Sequence, residues 1–286
     1  MTGLLITNKY IHNEKFDVLK NGFINAANDL NVKLDDMNNQ MAYELLDKKK
    51  KYDFIIFYDK DVKLARLLEE HGYKLYNDSR AISICDDKSL TYIAVGTSVV
   101  QPYTIISPFL YYGDLSEDDE FIKKCESSID YPMIVKESCG SFGMQVYMVK
   151  DNLELRKCIK SIGSKSFIVQ KFIKTSFGKD IRLQVIGDKV VCAMKRINHE
   201  GDFRANVTNG ATPYHYIPSE RECEMALKVT SKLKIDFAGV DLLIGENDEP
   251  IFCEINSNAH LGIISKTSGV NVYNEIITYI VKDMRC

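Results

Sequence analysis

Late in the chain two apolar runs carry oxygen donors, Asp241-Leu-Leu and Phe252-Cys-Glu254-Ile-Asn256. A polar stretch, Gly245-Glu-Asn-Asp-Glu249, separates them. A two-residue hairpin centred on Asn247-Asp248 sets Asp241 directly opposite Glu254. Glu254 and Asn256 lie two residues apart on one strand and therefore share a face. Three oxygen donors then converge, a set suited to a hard cation such as Mg²⁺ or Mn²⁺, which commonly arrives with a phosphate. Nucleotide-dependent chemistry is the leading expectation.

A complementary set of cations lies in the middle of the chain. Lys136 ends an apolar run, Pro132-Met-Ile-Val, and precedes a loop bearing Gly140 and Gly143. Glycines in a strand-to-strand loop let backbone N–H groups approach an anion closely. A lysine directed inward beside them needs an anionic partner, although a strand-end lysine can equally snorkel into water. Asp180 and Arg182 share one strand face, Lys195-Arg196 ends the next strand, and Asp202-Phe-Arg204-Ala-Asn206 follows in a loop. Arg182, Arg196, Arg204 and Lys136 could form a cationic bowl facing the carboxylates, since guanidinium matches phosphate and carboxylate in bidentate geometry. Each arginine taken singly also fits a cross-strand salt bridge. Lys88 starts a helix, where the dipole disfavours a cation, and read alone it is a surface lysine.

Other chemistries lack support. The histidines, among them His199, His215 and His260, form no metal spacing, so zinc is not expected. No nucleophile elbow of the G-x-S-x-G type exists. The eight cysteines form no C-x-x-C pair and several sit in apolar strands, as buried reduced thiols do. A net charge of -3 gives no basic field for nucleic acid, and the run Lys48–Lys51 reads as a solvated helix end. No apolar stretch reaches membrane-spanning length and no signal peptide is visible, so a cytoplasmic protein without a membrane partner is expected.

The elements that must hold these residues alternate in type. Runs at 3–7, 32–34, 53–58 and 73–76 read as strands, with helical periodicity at 14–30, 40–51 and 61–71, which implies a small parallel α/β domain. No G-x-G-x-x-G follows the first strand, so a dinucleotide fingerprint is absent. Residues 77–96 read as helix. Strands follow at 101–106, 132–136, 145–149 and 167–173, with helices at 117–128 and 151–161. Beyond them come strands at 180–187, 189–197 and 211–217, a helix at 219–233, the hairpin, and a helix at 270–283; Gly187-Asp188 joins two strands as a tight turn. The fold class is α/β and α+β, with lobes at 1–85, 86–171 and 172–286.

In this order the motifs resemble the ATP-grasp superfamily, and within it the RimK-like amino-acid ligases. Four stretches carry the likeness: Pro132–Lys136 with its glycine loop, Val169–Lys174 with Gly178-Lys-Asp180-Ile-Arg182, Glu200-Gly-Asp-Phe-Arg204-Ala-Asn206, and Gly239-Val-Asp241 with Glu254-Ile-Asn256. The resemblance runs from about residue 77 onward and implies an ATP-grasp fold behind an N-terminal pre-grasp domain. It implies ATP between the lobes, with Lys88 and Lys136 on its phosphates, the main chain of Lys171 and Phe172 on the adenine edge, and Asp180 on the ribose. Arg204, Ala205 and Asn206 would belong to the ATP-binding loop. Asp241, Glu254 and Asn256 would hold two Mg²⁺ ions.

The reaction implied joins a carboxylate to an amine through an acylphosphate, with Arg182 and Arg204 stabilising the transferred phosphoryl group. An amino acid, a peptide or another small molecule is the implied acceptor, and Arg196 and His260 are candidates for substrate contact. Relatives follow the asparagine with a small residue, Pro and Gly, whereas this chain has Asn256-Ser-Asn-Ala-His260. Substrate choice therefore does not transfer, and whether copies of the chain associate stays open. The alternative is a degenerate grasp domain that binds nucleotide without catalysis. A cell-wall ligase of the D-alanine type is a weaker third reading, against which the Phe-Arg-Ala-Asn loop speaks.

Overall fold

A computed structural model describes every residue except 12–13, 48–51, 112–118, 141–142 and 286. The Lys48–Lys51 run lies outside the described residues. The chain begins with β1 (Thr2–Thr7), α1 (Glu14–Asp29), β2 (Lys33–Asn38), β3 (Phe54–Tyr58), α2 (Val62–Glu70) and β4 (Leu75–Tyr76). The four strands form a parallel sheet in the order β2-β1-β3-β4, as alternation of strand and helix requires. Of the helix expected at 40–51, the described part is a single 3₁₀ turn, Met41–Leu45.

The helix expected over 77–96 is two, α3 (Ser79–Asp86) and α4 (Lys88–Val95). Asp87 separates them with extended dihedrals, φ -108° and ψ 110°, because it forms a β-bridge with Cys139. Its carboxylate then caps α4 by accepting from the Ser89 and Leu90 N–H groups at 2.8 and 3.0 Å. A second sheet is built from β5 (Thr104–Ile106), β6 (Met133–Glu137), β7 (Val146–Val149) and β8 (Phe167–Lys171), with α5 (Glu120–Ser128) and α6 (Asn152–Ile162) between them in the chain. Its order is β5-β8-β6-β7, all antiparallel.

The third sheet carries most of the expected chemistry. It comprises β9 (Lys179–Ile186), β10 (Lys189–Asn198), β11 (Ala211–Tyr216), then after α7 (Glu220–Leu233) β12 (Phe237–Ile244) and β13 (Pro250–Asn256). The order is β11-β10-β9-β12-β13, antiparallel throughout. Gly187, at φ +56°, and Asp188 make the expected two-residue turn, with Ile186 paired to Lys189. Apart from shifts at Val191 and Cys253, the strands alternate. Ile181, Leu183, Val185, Val240 and Leu242 pack with Val229 and Leu233 of α7, while Asp180, Arg182 and Asp241 point to the other face.

Two helices close the chain, α8 (Leu261–Ser268) and α9 (Val272–Asp283). The sequence expectation contained α9 but not α8. They pack against α1 and the third sheet and close a core shared with the first: Leu261, Ile264, Val272 and Ile276 lie with Leu5, Phe23, Phe54, Tyr58 and, from the third sheet, Phe237. That shared core fixes the carboxyl ends of the first sheet's strands beside the loop that follows Asn256. Among the described residues no helix is long and apolar enough to cross a membrane.

Candidate active site

The hairpin delivers Asp241 opposite Glu254 as expected, by a less direct route. Asn247 and Asp248 both adopt left-handed backbone, φ 54° and 59°, and the Glu249 N–H donates to the Glu246 carbonyl at 3.1 Å. This is the two-residue primed turn. Next to it the Gly245 N–H also reaches the Glu249 carbonyl, so that Ile244 pairs with Pro250 and one extra residue sits on β12. A bulge at Cys253 adds one extra residue to β13, because Leu242 pairs with Phe252 and Asp241 with Glu254. The two irregularities cancel, and the oxygen donors meet.

Asp241 is 1% exposed. Arg182 donates to it through Nε and Nη2, both at 2.6 Å, and Arg196 adds a third bond from Nη2 at 3.0 Å. Arg196 in turn grips Asp180 through Nε and Nη2 at 2.6 Å each. Four charges in a row thus neutralise one another inside the sheet, the arrangement that makes buried ions tolerable. Burial lifts the Asp180 carboxyl to about 6 against the pull of Arg196. Burial pushes Asp241 the same way, yet two guanidinium groups outweigh it and hold this carboxyl well below the usual range. Burial also works against the Arg196 cation, but Asp180 and Asp241 keep it firmly charged.

Asp180, Arg196 and Asp241 line a cleft between the second and third sheets, about 1340 Å³ including its open mouth. Lys88, Lys136, Lys171, Phe172, Asp180, Arg196, Arg204, Ala205, Asn206, Asp241, Glu254 and Asn256 all face it. Lys136 is 8% exposed and directs its Nζ toward the Cys253 Sγ at 3.8 Å. Burial pushes that thiol up to about 11, so it stays protonated and packs rather than reacts. The Lys88 N–H donates to the Ser138 carbonyl at 2.9 Å, tying the start of α4 to the end of β6. Lys171 is exposed, and its N–H is spent on the Tyr103 carbonyl at 2.9 Å.

The glycine loop and the Phe-Arg-Ala-Asn loop touch across the cleft mouth. Arg204 donates from Nη1 to the Gly143 carbonyl at 2.8 Å and from Nε and Nη2 to Asp202, at 3.1 and 2.7 Å for the shorter contact of each. Gly143 has φ +69°, and a Cβ there would stand 2.5 Å from the Asn206 Oδ1. Only glycine fits.

Arg182 and His260 do not line the cleft. They face an adjoining recess of about 680 Å³, together with Met194, Thr208 and Ile263. Lys60, Arg196, Asn206, Glu254 and Asn256 border both spaces. His260 meets Phe16 edge-on with ring centroids 5.9 Å apart. Lys60, Gln145 and Gln170 also line the cleft, and sequence reasoning missed them. For Gln145 the signal was its closeness to the glycine loop. For Lys60 there was none, since it follows an ordinary apolar strand far away in the chain.

The donor set fits a hard cation. By type the oxygen donors are two carboxylates and an amide, although both Asp241 oxygens already accept from Arg182 and Arg196, and among the described residues no three His, Cys, Asp or Glu side chains form a cluster. The Asn256 Nδ2 donates to the Glu254 Oε1 at 3.3 Å, leaving the amide oxygen available beside the carboxylate.

Comparison with known proteins agrees with this architecture. The family model described as the RimK-like ATP-grasp domain matches residues 105–280. An uncharacterised protein of Mycoplasma pneumoniae is 34% identical over 250 residues, 82% of this chain and 84% of its own. A probable alpha-L-glutamate ligase of Hahella chejuensis is 32% identical, covering 77% of this chain and 71% of its own. Among solved structures, a D-alanine–D-alanine ligase of Bacillus anthracis superposes with a TM-score of 0.75 over 99% of this chain and 96% of its own, at 17% identity, a likeness of fold alone. The fold is that of an ATP-grasp protein, and the chain belongs to the RimK-like ATP-grasp family.

Proposed function

We propose that the chain is an ATP-dependent carboxylate–amine ligase that adds an amino acid to a peptide, protein tail or small acceptor. A carboxylate oxygen of one substrate attacks the terminal phosphorus of ATP, and ADP leaves. The amine nitrogen of the second substrate then attacks the acyl carbon, phosphate leaves, and the nitrogen gives up a proton. Such a reaction needs positioning and charge neutralisation rather than a protein nucleophile. The observation that carries the reading is the wall the two spaces share. Glu254 and Asn256 border both the cleft, which Lys88 and Lys136 also line, and the recess bordered by Arg182 and His260.

In this reading the lobes at 1–85, 86–171 and 172–286 enclose the reactants in a cytoplasmic enzyme. Lys88 and Lys136 bind phosphates, Arg204 closes the loops over them, and Arg182 neutralises charge on the recess side. Asp241, Glu254 and Asn256 would hold Mg²⁺ or Mn²⁺, which would draw charge from the phosphate oxygens. Arg196 serves as the strut between Asp180 and Asp241, consistent with its 2% exposure. His260 borders the acceptor.

The test is ADP and phosphate release with Mg²⁺ across a panel of amino acids and small peptides, paired with mass spectrometry for acceptor plus amino acid minus water. Turnover dependent on one acceptor, abolished by Glu254→Gln, is the expected result. Tight nucleotide binding without product for any acceptor would sink the ligase assignment.

A further inference from the structure

Among the described residues, the loop after one strand of the first sheet sends a cation, Lys60, into the site. β3 is a central strand, and the carboxyl end of a parallel strand is where ligands of α/β sheets bind. Three consecutive residues there are fixed by different means. Tyr58, 3% exposed, donates its hydroxyl to the Ala259 carbonyl at 2.5 Å and stacks on Phe237 with ring centroids 6.3 Å apart. Asp59, 5% exposed, accepts from the Asn8 Nδ2 at 3.1 Å and from the Lys60 N–H at 2.6 Å. Lys60 extends beyond them, its ammonium paired with Asp86 at the end of α3.

Lys60 is one of five residues that border both the cleft and the recess, beside Arg196, Asn206, Glu254 and Asn256. It alone of these comes from the first sheet, and it lies outside residues 105–280 of the family match. Glu254 and Asn256 bring negative or neutral oxygen to this junction, and the Arg196 guanidinium is held by Asp180 and Asp241 through three hydrogen bonds from Nε and Nη2. An oxyanion at the border of the two spaces therefore meets two cations, Arg196 and Lys60. The Lys60–Asp86 pair is partly exposed, 38% and 23% by side chain, so it is screened by water and weak. A second oxyanion can share the ammonium's three donors with Asp86, while Tyr58 and Asp59 keep the backbone in place.

We propose that Lys60 binds the oxyanion at the junction of cleft and recess, either the terminal phosphate of the nucleotide or the carboxylate of the acid substrate. The proposal rests on the ligase reading and adds to it a residue from the first sheet that contacts the reacting groups. Its chemistry is a point charge with three rotatable donors, so arginine at this position retains the charge and methionine removes it while keeping the aliphatic stem.

The experiment titrates the full-length chain, as wild type, Lys60→Met and Lys60→Arg, with Mg·ADP and with Mg·AMPPNP by calorimetry. It then measures KM and kcat with the amino acid or peptide that best supports ADP release. Charge-assisted hydrogen bonds of this kind are worth about 10- to 100-fold in affinity. If the terminal phosphate is the partner, Lys60→Met weakens AMPPNP binding by about that factor, leaves ADP within about twofold, and Lys60→Arg recovers most of the loss. If the substrate carboxylate is the partner, both nucleotides bind as in the wild type and the acid substrate's KM rises by a similar factor. A Lys60→Met protein that matches the wild type in all three measurements overturns the proposal, and so does an equal loss for ADP and AMPPNP. A wild type that binds neither nucleotide overturns the ligase reading itself, and the role of Lys60 with it.

Discussion

Replacing Arg196 by methionine probes the arrangement on which the third sheet depends. The guanidinium is 2% exposed and makes three hydrogen bonds to two carboxylates, Asp180 and Asp241, themselves 9% and 1% exposed. Methionine fills much of the volume but leaves two buried carboxylates sharing one remaining cation, Arg182. Removing one member of a buried ionic network costs about 3–5 kcal/mol, most of it from the charge left uncompensated. For a chain of 286 residues unfolding as one unit, about 2 cal/mol/K per residue converts this to a fall in Tm of roughly 5–8 °C. If the lobe at 172–286 unfolds alone, the fall is about two and a half times that.

The loss also depends on pH in a definite direction. Burial already lifts Asp180 to about 6; without Arg196 it rises further, and Asp241 loses one of the two guanidinium groups that hold it low. A folded-state carboxyl raised above its unfolded value costs stability once it ionises. The deficit of Arg196→Met is therefore largest near pH 7.5 and shrinks as the pH falls toward 5. Adding Asp180→Asn removes one of the stranded charges, and the double variant recovers at least about 2 kcal/mol. Thermal and urea unfolding at several pH values measure all three effects. A single variant within about 1 kcal/mol of the wild type, or a loss that does not change with pH, would refute the network as described.

Three further outcomes follow from particular residues. Asp236 is raised to about 6 by burial, against a hydroxyl bond from Tyr279 at 3.0 Å, so its contribution to stability is full at low pH and lost as pH rises through about 6. Asp236→Asn keeps the acceptor, and the variant should be about 1–3 kcal/mol more stable than wild type at pH 7.5, the gain vanishing near pH 4 in thermal melts. Gly143→Ala forces a Cβ into the Asn206 amide at a positive φ; nucleotide affinity should drop about 10-fold or more in calorimetry while Tm moves little. Gln184 is 1% exposed, and both its amide atoms lack a protein partner, so Gln184→Met should be neutral or stabilising by up to about 2 kcal/mol in urea titrations; clear destabilisation would mean that ordered water satisfies the amide.

Much of the framework was legible because it is written between near neighbours. The Asn247-Asp248 turn, the Gly187-Asp188 turn and, apart from the segment at 40–51, the strand-helix alternation of the first sheet rest on local dihedral preference and periodicity, and they appear where the residues place them. The break at Asp87 was not legible, because the β-bridge that extends it comes from Cys139, distant in the chain. Nor was α8, whose apolar positions are too few to show a period and which is held by a core shared with the first sheet.

The candidate site divides in the same way. Residue type and spacing alone put Asp241 opposite Glu254, Glu254 beside Asn256, and glycine at 143, since hairpin register and backbone sterics are local matters. Tertiary structure alone decided that two compensating bulges preserve that register, that Arg196 is spent on Asp180 and Asp241, and that Arg182 and His260 face a second space. It also decided that Tyr58 and Lys60 arrive from the first sheet. The physical reason is that an ion pair or a cavity wall depends on which distant strands pack together, and a linear pattern of polar and apolar residues records only the face each side chain turns toward its own strand or helix.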